Sequence, residues 1–160
     1  MGKRFWGSLG SLFLILFVLV SVTPAQHGHG GSSKEVSSKM ETKEVLVEGI
    51  KIAFMIMTNE EHQKMLKEMK IKETIEPGTT HNISVTVKDE KTDKEITDAK
   101  VSIKVVDPKH KDQIKSLKYV ENLKSYDGYF NLSEKGKYQI LVLVRKGDQK
   151  RTAGISYEIK

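Results

Sequence analysis

The sequence contains no cysteine among its 160 residues. Disulfide bridges, thiolate metal sites and a lipid-modified cysteine anchor are therefore excluded, so the folded domain must be stabilised by packing alone. The short motifs of serine hydrolases, zinc proteases and phosphate-binding loops are also missing. No acid–base pair is evident in the pattern. An enzyme is the least favoured class, and we predict a non-catalytic protein.

Positive charge is in excess, but it is not concentrated. The formal net charge is +6 at pH 7, and charged residues make up 30% of the chain. Lysines are scattered over predicted strands and turns, which is typical of a solvated surface. No basic stripe is interleaved with aromatic residues, so nucleic acid is not an expected partner. The length suits one domain with a genuine core rather than two.

The one long apolar run lies near the N-terminus. Leu12 to Val20 follows Lys3 and Arg4, and small residues come next, ending at Ala25. This order predicts a signal peptide over residues 1–25, cut after Ala25. The run is shorter than the roughly 20 residues that cross a bilayer. An uncleaved anchor is the alternative. With cleavage we predict a periplasmic or extracellular protein without membrane attachment.

Residues 26–43 form a polar stretch rich in Gly, Ser and Lys, too poor in apolar residues to fold. We predict a flexible leader there and a β-sandwich domain over residues 44–160. His27 and His29 could bind Cu(II) together with a new amino terminus at Gln26. A polar leader without a metal role is the favoured interpretation.

Short runs of alternating residues fill the predicted domain. Residues 50–57 alternate between two faces, which predicts a strand with its Ile and Phe side chains in the core. Similar runs, separated by turn signals such as Asp127-Gly128, bring the count to about seven strands. Residues 109–126 fit either a strand or a loop, and Gly136-Lys137-Tyr138 resembles a tyrosine corner. The pattern predicts an all-β, immunoglobulin-like Greek-key β-sandwich.

One short helix interrupts the strands. Thr58 and Glu61 have the spacing of a capping box, which predicts a helix from about residue 59 to 69. In the strand that follows the helix, alternation places Asn82 and Ser84 on the outward face.

Methionine and histidine side chains are concentrated around this helix. The candidate metal ligands are Met55, Met57, His62, Met65, Met69 and His81. Thioether and imidazole are soft or borderline donors, and paired carboxylates are missing, so Cu(I) or Ag(I) is favoured over Zn(II), Ca(II) or Mg(II). A helix folded back over the strand end would bring several of these donors together, although alternation places His81 on the inner face. The alternative is that methionines at helical spacing simply fill the core.

Three segments of the domain carry a family resemblance. Residues 81–87 (HNISVTV), 92–101 (TDKEITDAKV) and 136–140 (GKYQI) resemble the FixH/YtkA-like group of exported β-sandwich domains. The resemblance covers most of residues 44–160. Residues 54–65 (FMIMTNEEHQKM) resemble a Met/His-containing subset found in bacterial periplasms. The resemblance implies copper handling or oxidase assembly, with the same six candidate ligands.

We therefore predict an exported metal-binding or metal-chaperone domain that holds Cu(I) and releases it to a partner by ligand exchange. The alternative is a non-catalytic immunoglobulin-like module that binds another envelope protein through a sheet edge or the Met-bearing helix. Thioethers that converge beside an imidazole would favour the metal site. Exposed methionines without a converging histidine would favour the module.

Overall fold

The computed structural model describes residues 41–160. The predicted signal peptide and the leader up to residue 40, with His27 and His29, lie outside the described residues. The first strand begins at Glu41, so residues 41–43 of the predicted leader are part of the folded domain. Within the described part of the chain, no helix is both long and apolar enough to cross a membrane.

Eight strands and one helix make up residues 41–160. They are β1 (Glu41–Val47), β2 (Ile50–Thr58), α1 (Asn59–Glu68), β3 (His81–Asp89), β4 (Lys100–Val106), β5 (Asp112–Val120), β6 (Ser125–Phe130), β7 (Gly136–Lys146) and β8 (Gln149–Ile159). The β1–β2 hairpin turns at Glu48-Gly49, where both residues have positive φ, 44° and 80°. Two-residue hairpin loops favour such angles because they match the twist of the flanking strands.

The strands form a Greek key in which all neighbours pair antiparallel. Their order is β1-β2-β3-β6-β5-β4-β7-β8. In β7-β4-β5-β6, three consecutive strands lie side by side and β7 returns beside the first of them, which defines the motif. The sheet curls until Lys43 of β1 donates a hydrogen bond to the Ser156 carbonyl of β8. The predicted all-β sandwich is confirmed, with eight strands rather than about seven.

The additional strand is β5, which comes from the segment that fits either a strand or a loop. Its first part, 112–117, pairs with β4, and its last part, 118–120, pairs with β6. Leu117 is the one buried side chain in β5, so no apolar alternation marks the strand. The predicted turn at Asp127-Gly128 is wrong, because both residues lie within β6.

The core lies between the inner faces of the two halves of the sheet. Its fully buried side chains include Ile52, Phe54, Ile83, Val85, Ile103, Phe130, Tyr138 and Ile140. The predicted tyrosine corner is confirmed. The Tyr138 hydroxyl donates to the Glu134 carbonyl at 2.8 Å and accepts from the Glu134 N–H at 2.8 Å. Both hydrogen-bonding functions of this phenol are satisfied.

Helix α1 follows β2 directly and begins with the predicted capping box. Thr58 Oγ1 accepts from the Glu61 N–H at 3.2 Å, and Glu61 Oε2 accepts from the Thr58 N–H at 2.7 Å. The helix turns back and buries His62 and Leu66 against the outer side of β2 and β3. The alternation of side chains along β2 and β3 does not by itself predict that a helix covers their outer side.

Asn82 and Ser84, predicted to face outward, are both buried, with 0% and 6% of their surfaces exposed. They do lie on the outer face of the sheet, opposite the core. Around Asn82 and Ser84 this face is covered by α1 and by the connection that follows it, so these two side chains are shielded from solvent. The part of the outer face that lies beneath the helix is therefore a second, polar buried layer.

Replacing Thr58 with Ala should lower the free energy of unfolding by about 1 kcal/mol, since loss of an N-cap hydroxyl costs about 0.5–2 kcal/mol. Urea denaturation followed by circular dichroism measures the change. Thr58→Ser is the matched control and should retain most of the stability, because it keeps the hydroxyl. Equal losses in the two variants would show that the cap does not stabilise α1.

Candidate metal centre

The candidate site lies on the outer face of the sheet beneath α1. Strand register places Met57, Asn82 and Tyr129 side by side in one row across β2, β3 and β6. Met55, Ser84 and Asp127 form the next row. Neighbours within such a row have Cβ atoms about 4.5–5.5 Å apart, so each row is a contiguous strip of side chains. The two rows form the floor on which the helix lies.

Three of the predicted ligands line one cavity at the edge of this floor. The cavity has a volume of about 130 Å³ and contains no charged side chain; it is lined by Thr42, Ala53, Met55, Met65, Met69, Ser84, Thr86, Leu123 and Ser125. Met55 comes from β2, whereas Met65 and Met69 come from α1 and its C-cap. Met69 has 48% of its surface exposed, so solvent reaches the cavity on its side.

The other three predicted ligands do not line this cavity. Met57 and His62 are buried, with 2% and 0% exposed surface. His81 shares the alternation of Ile83 on the inner side of β3, and its ring centroid lies 6.1 Å from that of Tyr157. The structure therefore brings together Met55, Met65 and Met69 but not the complete predicted set.

A buried hydrogen-bond network lies beside the cavity. The Tyr129 hydroxyl is 3.1 Å from His62 Nδ1 and 2.9 Å from Glu73 Oε1. Glu73 belongs to the connection between α1 and β3, and it reaches Tyr129 across 56 positions of the chain. This contact fastens the connection to the sheet.

A second, separate set of buried hydrogen bonds lies in the floor of the cavity. Ser84 Oγ donates to Asp127 Oδ1, because a carboxylate oxygen only accepts, and it lies 3.0 Å from the side-chain amide of Asn82. Ser125 Oγ donates to Asp127 Oδ2 at 2.5 Å. Ser84 and Ser125 both line the cavity. These two hydroxyl side chains thus face the same space as the three thioethers.

The sequence pattern does not single out Glu73, Tyr129 or Asp127 as site residues. Asp127 belongs to a predicted turn, and no motif includes Glu73 or Tyr129. One pattern in the sequence does point to these buried polar residues. It is a run of polar residues on the outer face of strands whose inner face is apolar, followed by Tyr129. Such a pattern indicates a covered face only when the position of the helix is known.

Burial changes the proton affinity of several groups in the site. It lowers the pKa of His62 below its ordinary value of 6.5, against the opposing charges of Glu73 and Asp127. Burial also lowers the pKa of His81, opposed by Glu61. Burial raises the pKa of the Tyr129 phenol, and its hydrogen bond to Glu73 raises it further. The phenol is therefore a permanent donor, and both imidazoles favour the neutral form.

Several buried polar atoms in or near the network have no hydrogen-bond partner within residues 41–160. They are His62 Nε2, Glu73 Oε2, Asn82 Nδ2 and Asn59 Oδ1. Buried polar groups usually have hydrogen-bond partners, so each exception needs an explanation such as a bound ion or a functional role. His62 Nε2 is the one of these atoms that can ligate a soft metal.

The donors favour a soft ion over a hard one. Among the described residues, no group of three or more His, Cys, Asp or Glu side chains is arranged to hold a metal ion. Thioether sulfur selects Cu(I) from the first-row metals, whereas carboxylate and carbonyl oxygen suit Mg(II), Ca(II) and Mn(II). The cavity can therefore present up to three soft ligands to a monovalent ion.

A larger depression of about 570 Å³ lies at the opposite end of β2 and β3. Its lining includes cations such as Lys91 and Arg151 together with anions such as Glu48 and Glu95, and it contains no methionine. Mixed exposed charges of this kind are typical of a solvated surface. None of the six candidate metal ligands lines this depression.

No family model matches this chain, and no curated protein matches it. Solved structures share its fold. FetP of uropathogenic E. coli, expressed in the periplasm of E. coli, matches with a TM-score of 0.51 and 10% identity over 76% of this chain and 95% of FetP. A DUF4426 family protein, PA0388 of Pseudomonas aeruginosa, matches with a TM-score of 0.53 and 13% identity over 74% of this chain and 94% of its own.

A copper-bound variant of the same FetP matches with a TM-score of 0.49 and 10% identity, over 73% of this chain and 92% of that one. At these identities the likeness shows a shared fold alone. The chain thus has the β-sandwich fold of FetP and of the DUF4426 protein, and its function must be argued from its own residues.

Proposed function

We propose that this protein is an exported, periplasmic soft-metal-binding domain of the FixH/YtkA-like kind that holds Cu(I) and passes it to a partner. One observation carries the proposal. The thioethers of Met55, Met65 and Met69 come from two successive elements and line one cavity that solvent reaches. Three thioethers are a ligand set that suits Cu(I) and, by its similar softness, Ag(I).

The geometry also supports release of the ion. Met69 is the C-cap of α1 and is half exposed, so a donor from a partner protein can approach the site from its side. Met side chains are flexible and adapt to changes in their surroundings. Ligands of a partner protein could replace the thioethers one at a time. The ion would then pass to the partner without losing all of its ligands at once.

Titration of the mature protein with Cu(I) under reducing conditions, against a chromophoric competitor, tests the proposal. The wild type should take up one competed equivalent. The double variant Met65→Leu/Met69→Leu should lose it, because two of the three thioethers are gone. Leu and Met have similar volumes, and such exchanges cost less than about 1.5 kcal/mol, so the fold should remain intact.

Met57→Leu is the matched control. It removes a thioether from the same strand, but this side chain is buried and does not line the cavity. Its affinity for Cu(I) should equal that of the wild type. Failure of the wild type to bind Cu(I) would exclude the metal function, and equal weakening in Met57→Leu and in the double variant would contradict a site in this cavity.

A second candidate function is docking of another envelope protein. The exposure of Met69 and the lack of an imidazole in the cavity lining favour it. Methionine-rich surfaces adapt to varied partners. In that case wild type and double variant would both lack a metal equivalent, whereas binding of a partner would differ between them.

A further inference from the structure

Asp127 is a buried carboxylate beside the cavity of the three thioethers. It lies on the outer face of β6, and 8% of its surface is exposed. Its Oδ1 accepts a hydrogen bond from Ser84 Oγ, and its Oδ2 accepts one from Ser125 Oγ at 2.5 Å. Both oxygens therefore act as acceptors, as in an ionised carboxylate.

No cation pairs with this carboxylate within residues 41–160. The ion pairs of this part of the chain join other residues, and none of them includes Asp127. Lys118, its cross-strand neighbour on β5, is exposed and forms no ion pair with it. Buried charges in proteins are normally paired or coordinate a metal. The domain thus buries a negative charge that a bound cation would pair.

Two serine hydroxyls connect this charge to the cavity. Ser84 and Ser125 donate to Asp127, and both line the cavity together with the three thioethers. Strand register places Met55, Ser84 and Asp127 in one cross-strand row. Neighbours in such a row have Cβ atoms about 4.5–5.5 Å apart, so an ion between Met55 and Ser84 would lie roughly 5–10 Å from the carboxylate.

The cavity itself offers no charge to a cation. Its lining contains no charged side chain, and a thioether adds no charge to the ion that it binds. A monovalent cation would keep its full positive charge in a partly desolvated place, which is costly unless an anion lies nearby. Because the hydroxyl hydrogens of Ser84 and Ser125 point to the carboxylate, neither serine presents its positive end to the cavity. Asp127 can offset the cost without occupying a ligand position.

We propose that Asp127 supplies the counter-charge of the soft-metal site. It does not ligate the ion, but its carboxylate, hydrogen-bonded to two cavity-lining serines, makes the cavity favour a monovalent cation over a neutral ligand of similar size. The inference rests on the proposed function for the identity of the ion. Burial is compatible with this role, because a thioether must touch the ion to bind it whereas a charge acts at a distance.

Titration with Ag(I), a redox-stable probe, in chloride-free buffer tests the counter-charge. Asp127→Asn keeps the size of the side chain and its capacity to hydrogen-bond with both serines, but it removes the charge. Affinity for Ag(I) should fall about 10–100-fold, the attraction expected between unit charges at this separation in an effective dielectric constant of about 20. The metal-free variant should resist urea at least as well as the wild type, because an unpaired buried charge is removed.

Asp89→Asn is the matched control. It removes the same charge from a carboxylate that also accepts from a hydroxyl, Thr92 Oγ1 at 2.8 Å. Asp89 ends β3 and lines the larger depression rather than the methionine cavity. Its replacement should leave the affinity for Ag(I) unchanged. An equal loss in the two variants would show that only the net charge of the protein matters, and would overturn the assignment to Asp127.

Carbon-13 NMR of the aspartate carboxyl groups gives a second measurement, which needs no variant. Addition of Ag(I) to the wild type should shift the carboxyl signal of Asp127 and leave that of Asp89 in place. A silver-loaded protein in which the Asp127 signal does not move would overturn the inference, even if Asp127→Asn does not fold.

Failure of this inference can be told apart from failure of the proposed function. If Met65→Leu/Met69→Leu loses Ag(I) while Asp127→Asn binds it as the wild type does, the inference fails and the proposed function stands. A joint loss of stability and affinity in Asp127→Asn would also overturn the inference, because the side chain would then serve the fold. A wild type that binds no Ag(I) would overturn both.

Discussion

Acidification below about pH 6.5 should destabilise the metal-free protein, because His62 and His81 are buried and resist protonation. Burial lowers the pKa of His62 and of His81 below the ordinary value of 6.5. In the unfolded chain both imidazoles take up protons near pH 6.5. The unfolded state then binds more protons than the folded state, and the free energy of unfolding falls as the pH falls.

The pH window follows from the direction of these shifts. Above the unfolded pKa both states hold neutral rings, and the full stability is present. It is lost as the pH falls from about 6.5 through the lower pKa of each folded histidine. Aspartates such as Asp89, whose pKa is lowered chiefly by the Thr92 backbone N–H, contribute a separate loss that begins only near their ordinary pKa of 3.8.

Urea denaturation of the apoprotein at a series of pH values between about 8 and 5 measures the effect. His62→Gln and His81→Gln should each flatten part of the decline, and the double variant should remove most of it. His110→Asn is the control, because His110 is exposed and adopts a positive φ of 63° that Asn tolerates. A decline of the same slope in the double variant would show that other groups cause it.

Replacing Phe54 with Ala should lower the free energy of unfolding by about 3–5 kcal/mol, the usual cost of removing a buried phenyl ring. Phe54 has no exposed surface and lies in a cross-strand row with Val85 and Tyr126, which are 0% and 2% exposed. Since a domain of this size has a total stability of about 5–15 kcal/mol, the loss is a large fraction of it.

Leu46→Ala is the matched control for this change. Leu46 lies on the neighbouring strand β1, but 57% of its surface is exposed, so its removal should cost much less. Chemical denaturation monitored by tyrosine fluorescence compares the variants. Similar losses for the two substitutions would contradict a core between the inner faces of the sheet.

Much of the fold follows from local patterns. The period-two alternation of β2 predicts its buried face correctly, because a strand with one face in the core must alternate. Thr58 and Glu61 mark the start of α1, since a capping box needs only side chains and N–H groups three residues apart. Tyr138 forms its corner with Glu134, four residues away. These contacts involve residues close in sequence.

Other features depend on contacts between distant residues. β5 is recognised as a strand by its pairing with β4 and β6, because its own residues are mostly polar and exposed. Asp127-Gly128 has turn composition, yet Asp127 lies in β6, where it accepts hydrogen bonds from Ser84 and Ser125. The buried state of Asn82 depends on a helix that folds over it.

For the candidate metal ligands too, some properties follow from the sequence and others depend on the tertiary structure. The soft character of the site follows from the sequence, since four of the six methionines lie at 55–69 together with one histidine. Which of them meet is decided by the path of α1 across the sheet. That path joins Met55 to Met65 and Met69, separates His81 onto the opposite face, and adds Tyr129 and Glu73 to His62.

The amino-acid sequence by itself determined an all-β domain, the start of its helix and a set of soft donor side chains, because each of these depends on residue type and short-range spacing. Only the tertiary structure decided which donors share a cavity and which polar groups are buried beneath the helix. The physical reason is that α1 covers the outer face of the sheet through contacts with β2, β3 and β6, and no local pattern in the chain specifies such contacts.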